Sequence, residues 1–167
     1  MKVRLFFNVP IFLLLIFTAC HNDRAGKIDS KAETPISKVT SKPSADLTSY
    51  VNTELRGPSV LIFDFHSTNR CVSCNAIEAT AKKTIEDFYA KEKNEGRVKM
   101  MVYNVDDAEN SEIAEKFQAT GTALFLVKMA NGKEAILDMT GDGFKYAKHN
   151  PEQLEEIIKN NVAEFLK

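Results

Sequence analysis

The stretch from Ser59 to Asn75, SVLIFDFHSTNRCVSCN, changes its hydrophobic period once, and that change restricts the fold more than any other feature of the chain. Its first seven residues form a nearly continuous apolar and β-branched run. This is the pattern of a strand buried on both faces in a sheet with helices on either side. From Cys71 onward the period becomes helical: Cys74, Ile77, Ala81, Ile85 and Phe88 fall on one face, with Lys82, Lys83, Glu86 and Lys93 mostly on others. A buried strand that feeds an amphipathic helix points to an α/β domain. Cys71 and Cys74 sit where one gives way to the other. They pose three alternatives: a redox couple, half of a metal site, or a structural disulfide.

Beyond this unit the two periods keep alternating. RVKMMVYNV predicts a second strand, and Asp106 with Asp107 turns the chain into a short helix through Ile113 and Phe117. ALFLVKM and KEAILDM flank ANG, a hairpin signal with glycine at the turn. Thr140 to Asn150, TGDGFKYAKHN, is expected to be a glycine-rich loop longer than a simple strand-to-helix connection requires, with Phe144 and Tyr146 as candidates to cover the core. Asn150 is expected to cap a last helix that has Pro151 at its first position and Gln153 close behind. Leu154, Ile157, Ile158, Val162 and Phe165 line the apolar face of that helix. The predicted order is β-α-β-α-β-β-α, with no internal repeat.

The N-terminus bears on compartment. Met1 to Arg4 carries two positive charges, and LFFNVPIFLLLIF follows as an apolar run ending in TAC. That is the charged, hydrophobic and small-residue sequence of a secretory signal. The run is shorter than the ~18 to 20 apolar residues of a membrane-spanning helix, which weighs against a permanent anchor. After Cys20 the residues are mostly Lys, Ser, Thr, Asp, Pro and Gly, too polar to offset the entropy of ordering them. The expected organisation is therefore a signal peptide over 1–19, a flexible tether over 20–43 and one domain over 44–167. A net charge of −1, without a basic cluster interleaved with aromatics, argues against nucleic acid as a partner.

Two resemblances sharpen these expectations. FTAC resembles the lipobox of bacterial lipoproteins, with Phe17 where leucine is usual, and implies that Cys20 is lipidated and becomes the first mature residue. The alternative is an ordinary signal peptide cleaved near Cys20, and in either case the chain is exported. The order of elements, with Cys-x-x-Cys at the start of the first helix, resembles the thioredoxin-like superfamily over about Ser59 to Leu166. The resemblance implies a three-layer α/β/α fold with a central mixed sheet and a redox site at Cys71 and Cys74. It also matches Asp64 to the family's buried strand aspartate. HSTNR replaces the family's tryptophan-containing approach, and TGTALFLV offers Thr122 or Ala123 where thioredoxins have a cis-proline opposite the cysteines. The grip on substrate backbone is therefore expected to differ.

The chemistry of the residues points to the same site. A cysteine at the first turn of a helix meets unpaired N–H groups and the positive end of the dipole, which favour thiolate. Arg70 adds a neighbouring positive charge, so Cys71 is the expected nucleophile and Cys74, on the apolar face, the resolving thiol. The intervening Val72 and Ser73 leave the potential open across roughly 150 mV. Asp64, inside an apolar run, is expected either to have a raised pKa and relay a proton to Cys74, or to lie at a solvated strand end. His66 either tunes Cys71 or is surface.

The alternatives retain their own arguments. Zinc normally takes four ligands, and the mature domain offers only Cys71, Cys74, His66 and His149. A structural disulfide across so small a loop would constrain the unfolded chain little. A non-catalytic binding module is favoured by the missing proline. The expectation that results is an exported, lipid-anchored thiol–disulfide oxidoreductase on the periplasmic side of a bacterial membrane. It requires no cofactor or metal. It would reduce protein disulfides through Cys71 and Cys74, with Arg70, Thr122, Ala123 and Phe144 bordering the substrate groove. Its partners would be protein disulfide or thiol substrates and a transmembrane electron-carrier protein.

Overall fold

The computed structural model describes residues 46–51 and 57–167. The expected signal peptide over 1–19, Cys20 and the expected tether over 20–43 lie outside the described residues. Among the described residues no helix is long and apolar enough to cross a membrane. A 3-10 turn, Leu47–Tyr50, precedes β1 (Ser59–His66), α1 (Val72–Phe88), α2 (Ala90–Asn94) and β2 (Val98–Asn104). A second 3-10 turn, Ala108–Asn110, leads into α3 (Ser111–Phe117), β3 (Ala123–Ala130), β4 (Lys133–Asp138), α4 (Thr140–Tyr146) and α5 (Pro151–Phe165).

The four strands form one mixed sheet in the order β2-β1-β3-β4. β1 runs parallel to β2, from Val60 opposite Val98 to His66 opposite Asn104. It runs antiparallel to β3, from Ser59 opposite Met129 to Phe65 opposite Ala123. A strand paired on both edges and covered on both faces has no polar side, which explains the unbroken apolar run. Alternation sorts its side chains into two cores. Val60 and Ile62 join Ile77, Ala81 and Ile85 of α1 and Leu154, Ile158 and Val162 of α5. Leu61, Phe63 and Phe65 join Ile113 and Phe117 of α3 on the opposite face. There the Phe117 ring centroid lies 4.6 Å from Phe63 and 4.9 Å from Phe125. Each such side chain contributes about 1.5–3 kcal/mol by leaving water. Helices on both faces of a mixed sheet make the three-layer α/β/α, thioredoxin-like fold that the sequence predicts.

Three local expectations are corrected. Phe88 does not join the apolar face but is 46% exposed. α1 stops there, and Tyr89 turns inward instead, its hydroxyl donating to the Lys159 carbonyl of α5 at 2.5 Å. Asn150 stands at the cap position of α5, yet its side chain makes no capping bond; its carbonyl accepts from the Gln153 N–H at 3.0 Å. The expected glycine-rich loop is largely helix α4. Glycine disfavours helix by ~1 kcal/mol in isolation, so packing decides here. A Cβ on Gly143 would lie 3.1 Å from Cδ1 of Ile77, tighter than an ordinary contact, so glycine lets α4 pack against α1 without displacing that side chain. The hairpin is as expected: Asn131 and Gly132 both have positive φ, 52° and 71°, at the β3–β4 turn.

Candidate active site

Cys71 is the N-cap of α1, with extended backbone (φ −84°, ψ 166°), and is joined to Cys74 by a disulfide with a Cα–Cα distance of 5.1 Å. The two sulfurs differ in environment. Cys71 is exposed and Cys74 is buried, at 6% exposure. The Cys74 N–H donates to Cys71 Sγ and the Cys71 N–H to Cys74 Sγ, each at 3.1 Å. An N–H left unpaired by the helix start therefore points at the outer sulfur. On reduction the same donor and the helix dipole favour the Cys71 thiolate. Val72, 70% exposed, presents an apolar side chain beside the pair.

Behind the disulfide lies a set of charges. Asp64 shares the face of β1 that carries Val60 and Ile62, and its register neighbours are the apolar Val102 and Leu124. It is fully buried, so the solvated strand-end alternative is overturned. Neither carboxylate oxygen has a hydrogen-bond partner. Arg70 Nη2 stands 3.7 Å from Asp64 Oδ2, and Arg70 Nη1 pairs with Glu78 at 2.5 Å. Burial pushes the Asp64 pKa up to about 7, the Glu78 charge adds to the rise, and the Arg70 charge opposes it.

Arg70 therefore turns toward two carboxylates, with its side chain 24% exposed, and does not lie open along a groove. His66, half-buried at the strand end, has Nδ1 2.9 Å from the Ser67 carbonyl oxygen. Glu78 was not singled out from the sequence. The available signal was its position one helical turn beyond Cys74 at i+4, on the same side of α1.

The segment before β3 runs beside Ser67, in the loop that leads to Cys71. Ala123 is buried opposite Phe65, Thr122 is half-buried, and a Cβ on Gly121 would lie 3.7 Å from Ser67 Oγ, on the approach to Cys71. Thr120, Thr122, Asp138 and Thr140 line an open cavity of about 530 Å³ floored by Phe117 and Phe125. Thr140 Oγ1 accepts from the Leu124 N–H at 3.1 Å, tying the start of α4 to β3. Phe144 is 46% exposed on α4. Among the described residues no group of three or more His, Cys, Asp or Glu side chains is arranged to hold a metal ion.

No family model and no curated protein matches the chain. Among solved structures it is similar to one described as the structure of a malarial protein, with 19% identity, 62% of this chain and 98% of that chain covered, and a TM-score of 0.39. It is also similar to the X-ray structure of Fasciola hepatica thioredoxin, with 20% identity, 68% and 86% coverage, and a TM-score of 0.37. The fold assignment rests on strand order and pairing. At the head of the first helix of that fold, the Cys-x-x-Cys pair is joined in a disulfide.

Proposed function

We propose that the chain is an exported, membrane-tethered thiol–disulfide oxidoreductase that reduces protein disulfides. The observation that carries this reading is the asymmetry of the pair: an exposed, helix-capping Cys71 and a buried Cys74, with the unpartnered carboxylate of Asp64 on the sheet face that α1 covers. In the reduced protein the Cys71 thiolate attacks a client disulfide, and one client thiolate leaves. Cys74 then attacks Cys71 Sγ in the mixed disulfide, its proton passing to Asp64 while the second client thiolate leaves. The client disulfide gains two electrons and the Cys71–Cys74 pair loses two. Thr122, Ala123 and Phe144 border the bound client. A transmembrane electron-carrier protein resets the pair, because an exported domain has no access to soluble NADPH-linked reductases.

Equilibration against glutathione buffers tests the direction of flow. The expected potential lies well below the glutathione couple, and a value well above it would replace reduction by oxidation as the net reaction.

Cys20 supplies the anchor in this reading, holding the domain on the periplasmic side of the membrane. The mature protein is expected to begin at Cys20 and to partition with membranes, whereas Cys20→Ser stays unprocessed or soluble. Mass spectrometry that finds an unmodified mature N-terminus at another residue would remove the anchoring proposal.

A further inference from the structure

Asp64 and Arg70 face one another with complementary groups unused. Both carboxylate oxygens of Asp64 lack a partner, as do Nε and Nη2 of Arg70. The 3.7 Å between Nη2 and Oδ2 is an ion-pair distance and too long for a hydrogen bond. On the other side of the guanidinium, Nη1 is held by Glu78 at 2.5 Å. An arginine between two carboxylates, bonded to one and just short of the other, has a second arrangement within a small rotation.

We propose that Arg70 and Glu78 are positioning residues for the resolving step: Glu78 holds the guanidinium just short of Asp64, and the guanidinium closes onto Asp64 when that carboxylate is ionised. This rests on the oxidoreductase reading and deepens it.

Among the described residues, the charges that act on Asp64 are those of Glu78 and Arg70. Its neighbours on β2 and β3, Val102 and Leu124, are apolar, and α5 contributes Leu154 and Ile158 to the same core. Glu78 opposes ionisation of Asp64 and Arg70 favours it. Glu78 also lines an open groove of about 440 Å³ between α1 and the edge strand β2, beside Lys82, Lys99 and Val102. The outer carboxylate of the triad therefore meets water while the inner one does not. When Cys74 forms its bond to Cys71 Sγ and the client thiolate departs, the Cys74 proton goes to Asp64. Arg70 then returns to Glu78 alone. When an incoming dithiol next reduces the Cys71–Cys74 disulfide, Cys74 leaves as a thiolate and takes the proton back from Asp64, and closure by Arg70 onto the carboxylate favours that loss.

The two residues are expected to shift Asp64 in opposite directions. In the oxidised protein, where neither cysteine titrates, the Asp64 carboxyl midpoint is followed by carbon-13 NMR in the wild type, Arg70→Met, Arg70→Lys and Glu78→Gln. Arg70→Met should raise the midpoint by about 1 pH unit and Glu78→Gln should lower it by about as much, while Arg70→Lys stays close to wild type. Release of a thiol probe from its mixed disulfide with Cys71 should follow the same midpoints. Below them Arg70→Met is expected to be about tenfold slower at a given pH.

A purely structural role for Arg70 would lower stability or slow release equally at all pH values. Unchanged midpoints, or shifts in the same direction, overturn the proposal. If Arg70→Met does not fold, Glu78→Gln alone decides the sign. If the wild type releases no probe at any pH, the oxidoreductase reading fails, and the carboxyl midpoints still decide the triad. Midpoints that move apart while release ignores them overturn the assignment to the resolving step.

Discussion

Cys74→Ser is expected to accumulate mixed disulfides between Cys71 and client proteins, seen as reductant-sensitive complexes on nonreducing gels, whereas Cys71→Ser accumulates none. Only Cys71 combines exposure with an N–H from the first helical turn aimed at its sulfur. Cys74 is buried, and without it nothing inside the protein releases the client. Turnover should fall by at least about 100-fold in either variant, because the first lacks the resolving thiol and the second the nucleophile. Alkylation separates them further. At pH 6 the remaining Cys71 should react at least about tenfold faster than the remaining Cys74. A metal site predicts that both substitutions abolish metal binding alike and neither traps clients. A structural disulfide predicts equal losses of stability with no asymmetry. Equal alkylation rates, with both thiols near ~8.5 and no trapped species, would remove the catalytic reading.

Asp64→Asn is expected to separate stability from activity. The folded pKa of Asp64, about 7, lies above the ordinary 3.8, so between these values the folded chain holds a proton that the unfolded chain has lost. Stability from this group is therefore full below pH ~4 and declines as pH rises toward 7. Above that, the buried charge costs roughly 4 kcal/mol relative to low pH. Asn cannot ionise, and it should remove most of this slope from denaturant unfolding measured across pH 4 to 8. An unpartnered buried amide costs ~1–3 kcal/mol at every pH, so the net gain is confined to the alkaline side. The same variant should release clients at least about 100-fold more slowly, because the acceptor of the Cys74 proton is gone. Parallel stability curves for the wild type and Asp64→Asn would show that Asp64 is ordinary in the folded protein.

Much of the architecture was legible along the chain because it depends on side chains close in sequence. The unbroken run at Ser59 to Phe65 marks a strand covered on both faces, and the structure pairs it on both edges as well. Asn131-Gly132 specifies its own turn through two positive φ angles. Where an expectation failed, a distant neighbour had outweighed a local signal. Gly141 and Gly143 read as loop, but contact with Ile77 makes the missing Cβ of Gly143 an advantage and the segment becomes helix. Helical spacing continued the apolar stripe to Phe88, but α1 ends there and Tyr89 takes the inward place, its hydroxyl bonded to the backbone of α5.

The candidate site divides in the same way. By itself the sequence determined that a Cys-x-x-Cys stands at the junction of a buried strand and an amphipathic helix, with an aspartate inside the strand. Hydrophobic period specifies which face of an element is covered and where a helix begins, and those facts set the asymmetry of the two sulfurs. Only the tertiary structure decided that Asp64 lies beyond the reach of water, that Arg70 turns inward, and that Glu78 holds it from the other side. The energy of a charge depends on the distance and burial of other charges in three dimensions, and no periodicity of the chain encodes which of them will meet.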